Sequence, residues 1–264
     1  MAQYSVNRKR HIGLTTPRSD LHEVVMIADK SGNILNSFGS ASNIPIAAGD
    51  VTGYSHINKF GATDGDVTAG TVWDGNSGTT VYPYPANSVL TLAGVTNTND
   101  DGEAVEVQGL DANYNPVTET INIGSSGATV FSRVFRARML TTENSQDITI
   151  SQSGTVAAAI LSGLGQTLMS VYTVPAGKTA YLLDLHLGSD KASTNTAMTY
   201  RLFARPFGGA FNIKGNFNAA GGQSLDINYP VPLKFEEKTD IKIDVAAGQA
   251  TQVSATFDLI LVDN

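Results

Sequence analysis

One stretch constrains this chain more than any other: Gln166 to Leu187, QTLMSVYTVPAGKTAYLLDLHL. In its second half Tyr181, Leu183, Leu185 and Leu187 fall on one face, with Ala180, Asp184 and His186 on the other. In its first half Met169 and Val171 alternate with Ser170 and Tyr172. Period-two alternation marks half-buried strands. Between the two runs Pro175 presets its backbone angle and Gly177 can take the positive φ of a tight reversal. The stretch therefore predicts a β-hairpin, and most of the chain reads in the same way.

Residues 1–50 are expected to form an extended arm. It carries a short hairpin about Lys30-Ser31-Gly32-Asn33, a reading favoured over a short helix capped by Asp20 and Glu23 because Val24, Val25 and Ile27 are β-branched. Residues 51–87 are rich in Gly, Asp, Thr and Asn yet hold Tyr54, Phe60, Trp73, Tyr82 and Tyr84. They read as a connector that lies along a surface and anchors by its rings. Residues 88–165 read as a first β-sandwich. Val105 and Val107 alternate with Glu106 and Gln108, DANYNP (111–116) makes a turn, and Phe131, Phe135, Ala137 and Met139 form an inward set. The run Val156 to Leu161 fits either a short helix or a buried strand. Residues 166–264 hold roughly eight short strands without a helix long enough for a crossover, which points to an antiparallel, jelly-roll-like sandwich. The expected fold is all-β: two antiparallel β-sandwich domains behind an extended N-terminal arm.

Charge separates the arm from the body. Net charge is −7, yet residues 1–19 contain Arg8, Lys9, Arg10 and Arg18 and no acidic residue. A basic arm on an acidic body suggests that the arm binds a partner, and these four residues are the candidates. Apolar residues make up 41% of the chain, and no apolar run approaches the length of a bilayer span. The opening MAQYSVNRKRHIG does not read as a signal peptide, so assembly in a cytoplasm is expected. There is no cysteine, which excludes disulfides, thiolate metal sites and a cysteine nucleophile together.

Motifs that carry chemistry are sparse. The four histidines (His11, His22, His56, His186) show no metal-ligand spacing on one element. Gly124-Ser125-Ser126-Gly127 is not a nucleophile elbow, and Gly163-Leu164-Gly165 lacks the rest of a dinucleotide fingerprint. Two loops, 97–102 and 111–116, place oxygen donors at alternate positions. Gln108 and Pro116 spoil the calcium pattern, and turn chemistry explains both loops. Arg133, Arg136 and Arg138 crowd one strand, and Arg201 and Arg205 another. They read as a charged outer face that discourages edge pairing, with an anion or an acidic partner as the functional alternative. No aromatic interleaving around them supports a nucleic-acid platform. The expectation is thus no enzyme, no cofactor and no metal.

At VTGYSHINKFG (51–61), VQGLDANYNPVTETI (107–121) and GQTLMSVYTVPAGKTAYL (165–182), the chain resembles structural proteins of tailed-bacteriophage virions. The resemblance covers roughly residues 50–264 and brings no catalytic residue. It implies a β-sandwich particle component on the virion exterior. The reading adopted is a capsid decoration (cement) protein that binds the major capsid protein or other virion subunits and forms a homotrimer. Neither nucleic acid nor membrane is an expected partner. Tyr54, Phe60 and Trp73 are candidate anchors in the connector, and Leu182 and Ile260, on the polar side of their strands, are candidate oligomer contacts. A tail or head-to-tail component is the nearest alternative. A carbohydrate-binding receptor-recognition protein, with the aromatics of residues 54–84 lining a sugar site, is the other.

Overall fold

The computed structural model describes residues 27–28, 34–35, 43–94, 100–190 and 197–264. The chain divides into two units, residues 1–45 and 46–264. In the first, β1 (Ile27–Ala28) and β2 (Ile34–Leu35) pair antiparallel, with Ile27 opposite Leu35. The capping box at Asp20 and Glu23 and the arm cations Arg8, Lys9, Arg10 and Arg18 lie outside the described residues. A short helix, α1 (Asn43–Ala47), follows.

Strands fill the second unit. They run in order β3 (Tyr54–Ala62), β4 (Val67–Thr71), β5 (Ser88–Gly94), β6 (Ala104–Asp111) and β7 (Pro116–Asn122). Next come β8 (Ser126–Met139), β9 (Ile148–Gln152), β10 (Thr155–Ile160), β11 (Val171–Thr173) and β12 (Lys178–Ser189). The last are β13 (Ala197–Arg205), β14 (Asn212–Ala220), β15 (Leu225–Phe235), β16 (Asp240–Thr251) and β17 (Val253–Asp263). The chain is all-β with antiparallel layers, as its alternation predicts. The ambiguous run after Thr155 is a strand, β10, buried from Ala157 to Ile160.

Six strands form one sheet in the order β10-β9-β5-β8-β6-β7. Register shifts at Val89/Thr91, Gln108/Gly109 and Leu110/Asp111 bend it, because each bulge adds local twist. The curved sheet wraps Leu90, Leu92, Val107, Phe131 and Ile150, and Trp73, Tyr82, Met169 and Val171 join the same cluster. The second core lies between two sheets, β15-β12-β17-β3 and β11-β16-β13-β14, with β4 also paired to β16. The nested pairs β12–β17 and β13–β16 give this sandwich its jelly-roll-like wrap.

Three sequence expectations need correction. First, Gln166–Leu187 is not a hairpin. The turn forms, with Gly177 at φ 71°, but β11 pairs with β16 while β12 pairs with β15 and β17. The stretch carries the chain from one sheet to the other. Met169 and Val171 enter the first core and Tyr172 the second, so both faces of this segment are buried. Alternation cannot distinguish such a strand from half of a hairpin.

Second, the segment 51–87 is no connector. Its β3 closes one sheet of the sandwich against β17, and its β4 adds to the other sheet against β16. Its polar loop is organised by Asn76, fully buried, which donates to Ala69 O and Thr71 O and accepts from the N–H groups of Gly78 and Thr80. That satisfies all four hydrogen-bonding positions of the amide. At Gly61 the backbones approach closely, since a Cβ there would overlap the Ser170 backbone.

Third, Leu182 is not on the polar side. A bulge between Leu182 and Asp184 interrupts both ladders of β12 and switches faces. Ala180, Leu182, Leu185 and Leu187 point into the core, and Leu183 is the extra residue. Leu182 is fully buried and cannot be an oligomer contact in this fold, whereas Ile260 is half-exposed on β17.

Candidate functional site: the cleft where the two cores meet

The segments 51–61, 107–121 and 165–182 are far apart in sequence and converge in space. They supply β3, the β6–β7 hairpin and the β11–β12 corner. Two adjoining hollows share Ile57, Gln108, Phe135 and Tyr172 as lining. One, of about 270 Å³, adds Lys59, Arg136, Thr167 and His56; the other, of about 240 Å³, adds Pro116, Pro175 and Lys178. The Ala176 N–H donates to Tyr114 O at 2.9 Å and fastens the corner to the hairpin turn.

The larger hollow is cationic. Lys59 lies on β3, 7% exposed, and its ammonium donates to Phe135 O beside the Phe135 ring. Burial, helped by the neighbouring Arg136, lowers its pKa to about 7, with Asp74 acting weakly in the other direction. Arg136 donates through Nη2 to Gln166 Oε1 at 3.0 Å, while its buried Nε has no partner. Asp74 accepts the Leu168 N–H at 2.8 Å, leaves Oδ1 unpartnered, and has its pKa raised well above the carboxylate range by burial.

A second constellation spans the outer face of the four-stranded sheet. Ladder register sets Asn228, Asp184, Asp258 and Asn58 side by side across β15, β12, β17 and β3. Asp258 Oδ1 takes His56 Nε2 at 2.9 Å and Asn58 Nδ2 at 2.8 Å. His186 bonds Asp226 through Nδ1 at 2.8 Å and lies 3.6 Å from Asp184 through Nε2. Burial and the facing Asp258 raise the pKa of Asp184, and Asp226 raises that of His186. Asp184, His186 and Asp258 each offer a ligand atom within 4.8 Å of the others, the geometry a divalent cation could use. Sequence spacing missed this group because Asp258 on β17 joins Asp184 and His186 on β12 from far along the chain. Only strand register reveals it.

The arginines divide by environment. Arg138 pairs with Glu106 at 2.8 Å and Arg201 with Asn216, as an outer face requires. Arg133 and Arg205 instead converge on Asp240, 3% exposed, with Tyr84 against both guanidinium groups. The outer-face expectation therefore fails for Arg133, Arg136 and Arg205, which sit where the two cores meet. Of the suspected calcium loops, Asn97–Asn99 lie outside the described residues, and Asp100 accepts the N–H groups of Ser145 and Gln146. Asp111 accepts those of Asn113 and Asn115 and caps its own turn.

Among the connector anchors only Tyr54, 43% exposed, is at the surface. Phe60 is half-buried. Trp73 is 1% exposed and packs edge-on against the buried Tyr82, so it cannot anchor to a partner in this fold. An indole placed between a curved sheet and the strand beyond it fills the core, and the polar residues around it in sequence belong to the Asn76 loop.

No protein-family model matches this chain, and no curated protein matches it. Among solved structures, a chain of the naturally empty top component of cowpea mosaic virus is 7% identical, with a TM-score of 0.20, covering 69% of this chain and 85% of its own. A chain of the infectious bursal disease virus Gx strain is 13% identical, with a TM-score of 0.21, covering 79% and 69%. The VP2 subviral particle of infectious bursal disease virus is 12% identical, with a TM-score of 0.19, covering 78% and 72%. Overlaps this slight carry no argument about this chain.

Proposed function

We propose that this chain is a non-enzymatic structural subunit of a bacteriophage virion, a decoration (cement) protein that binds the major capsid shell from outside. The observation that carries the reading is the convergence just described. The three segments on which the chain resembles tailed-phage virion proteins meet at one junction and fasten the two cores to each other. The junction, on this reading, serves to hold the two cores together as one building block. On this reading the basic arm, through Arg8, Lys9, Arg10 and Arg18, binds carboxylates of a neighbouring subunit, and the body forms a homotrimer with Ile260 at a contact.

The carbohydrate-binding alternative loses support, because the aromatics proposed to line a sugar site include Trp73 and Tyr82, both buried. A tail or head-to-tail position differs from the capsid reading only in location. Electron microscopy of virions carrying a tagged copy tests it: density on the capsid faces supports the decoration role, and density confined to the tail or neck overturns it.

A further inference from the structure

A buried lysine and a half-buried arginine share the larger hollow without an ion-pair partner. Among the described residues neither Lys59 nor Arg136 has a carboxylate within ion-pair distance, although burying a charge unpaired is costly. The nearby carboxyl groups form no ion pair with either cation. Asp258 is held by His56 and Asn58, and Asp74 is a buried carboxyl bonded to the Leu168 N–H. Among the described residues protein acceptors do not use all the donors: Lys59 makes one protein hydrogen bond, to Phe135 O, and the Arg136 side chain makes one, from Nη2 to Gln166. Thr167 Oγ accepts the Ala137 N–H at 3.1 Å, which leaves its own proton for a ligand. These groups line a hollow of about 270 Å³, ample for an oxyanion and ordered water.

We propose that this hollow is a binding site for a small oxyanion (a sulfate, phosphate or carboxylate group), held by the Lys59 ammonium, the Arg136 guanidinium and the Thr167 hydroxyl. A bound anion supplies the missing counter-charge at the junction of the two cores and ties β3 to β8, so ligation stiffens the cleft. Sites of this kind favour charge-assisted hydrogen bonds from Lys and Arg. Because the lysine ammonium must be charged to bind, affinity falls as Lys59 loses its proton.

The test uses the full chain with sodium sulfate and, in parallel, sodium acetate, against sodium chloride at matched ionic strength. Sulfate keeps its charge across the pH range and so isolates the protein's titration. The wild type should gain roughly 3 °C in Tm per decade of the bound anion above its dissociation constant. Lys59→Met and Arg136→Met should keep only the general salt response. Calorimetric affinity should weaken by roughly 10- to 100-fold between pH 6 and pH 9. If neither anion distinguishes wild type from both variants, the proposal is overturned. Should the variants fail to fold, acetic anhydride labelling of wild-type Lys59 decides. Slower acetylation with either anion than with chloride supports the site, and equal rates with both overturn it.

Discussion

Arg133 Nε donates to Asp240 Oδ1 at 2.7 Å, and this bond ties the six-stranded sheet to the jelly-roll-like sandwich. The same carboxylate accepts the Thr173 hydroxyl at 2.6 Å and Arg205 Nε at 2.8 Å. Removing the acid strands two guanidinium groups in a poorly solvated place. Asp240→Asn is therefore expected to destabilise the protein by about 3–5 kcal/mol in urea unfolding, the range for breaking a buried pair from one side. A loss under about 1 kcal/mol would mean that solvent reaches the junction.

Lys59 gives a pH signature. Its folded pKa, about 7, lies below its ordinary 10.5, so between these values the unfolded chain binds more protons. Stability must then rise with pH, by at most about 1.4 kcal/mol per unit. Without added oxyanion, the wild type should gain stability relative to Lys59→Met between pH 7 and pH 9. Parallel curves for the two proteins would show that Lys59 is not desolvated.

The outer carboxylate row predicts the reverse slope. Asp184 has a raised pKa, so its protonated form favours folding and its charge weakens the fold as pH climbs through that value. Asp184→Asn should stabilise the protein at pH 7 by up to about 1 kcal/mol, a figure limited by solvent screening. The gain should vanish by about pH 3, where the wild type is protonated as well.

His186, its pKa raised by its hydrogen bond to Asp226, acts separately. Its stabilisation is complete below its unfolded pKa and is lost as pH rises through the higher folded value. His186→Asn should flatten that loss. Chemical denaturation at several pH values reads both variants.

Alternation puts Leu182 and Ile260 on the same side of their strands, but the structure separates them: Leu182 pairs with Leu259 and is fully buried, whereas Ile260 pairs with Tyr181 and is half-exposed. Leu182→Ala empties a packed position and should destabilise by about 2–5 kcal/mol whatever the oligomeric state. Ile260→Ala should leave the folded chain within about 1 kcal/mol of wild type and weaken self-association. Light scattering across concentration separates the two effects. Unchanged association for Ile260→Ala removes that residue from any interface.

These two leucine and isoleucine positions also show how far the sequence could be read. Alternation revealed the strands and most inward residues, because burial on one face leaves a period of two. It failed at Leu182, where one bulge inverted the face, and at Met169–Tyr172, where both faces are covered. Trp73 misled because its polar neighbours serve a loop organised by a single buried amide, Asn76, whose bonds reach from Ala69 to Thr80. The Asp184–Asp258–His56 group and the Lys59–Arg136 hollow were illegible for another reason. Each is assembled from strands far apart in the chain, and pairing register is not written in local pattern.

The proposed decoration role requires that this protein bind a capsid shell and that its arm supply the binding. The direct measurement is co-sedimentation of purified protein with virions stripped of it, using the full chain and a truncation that starts at Asp50. The full chain should bind saturably and more weakly as salt is added, since exposed ion pairs are screened. The truncation should keep nearly the same unfolding midpoint yet fail to bind. Equal binding by the truncation would reduce the arm to a tail, and no binding by the full chain would contradict the decoration role itself.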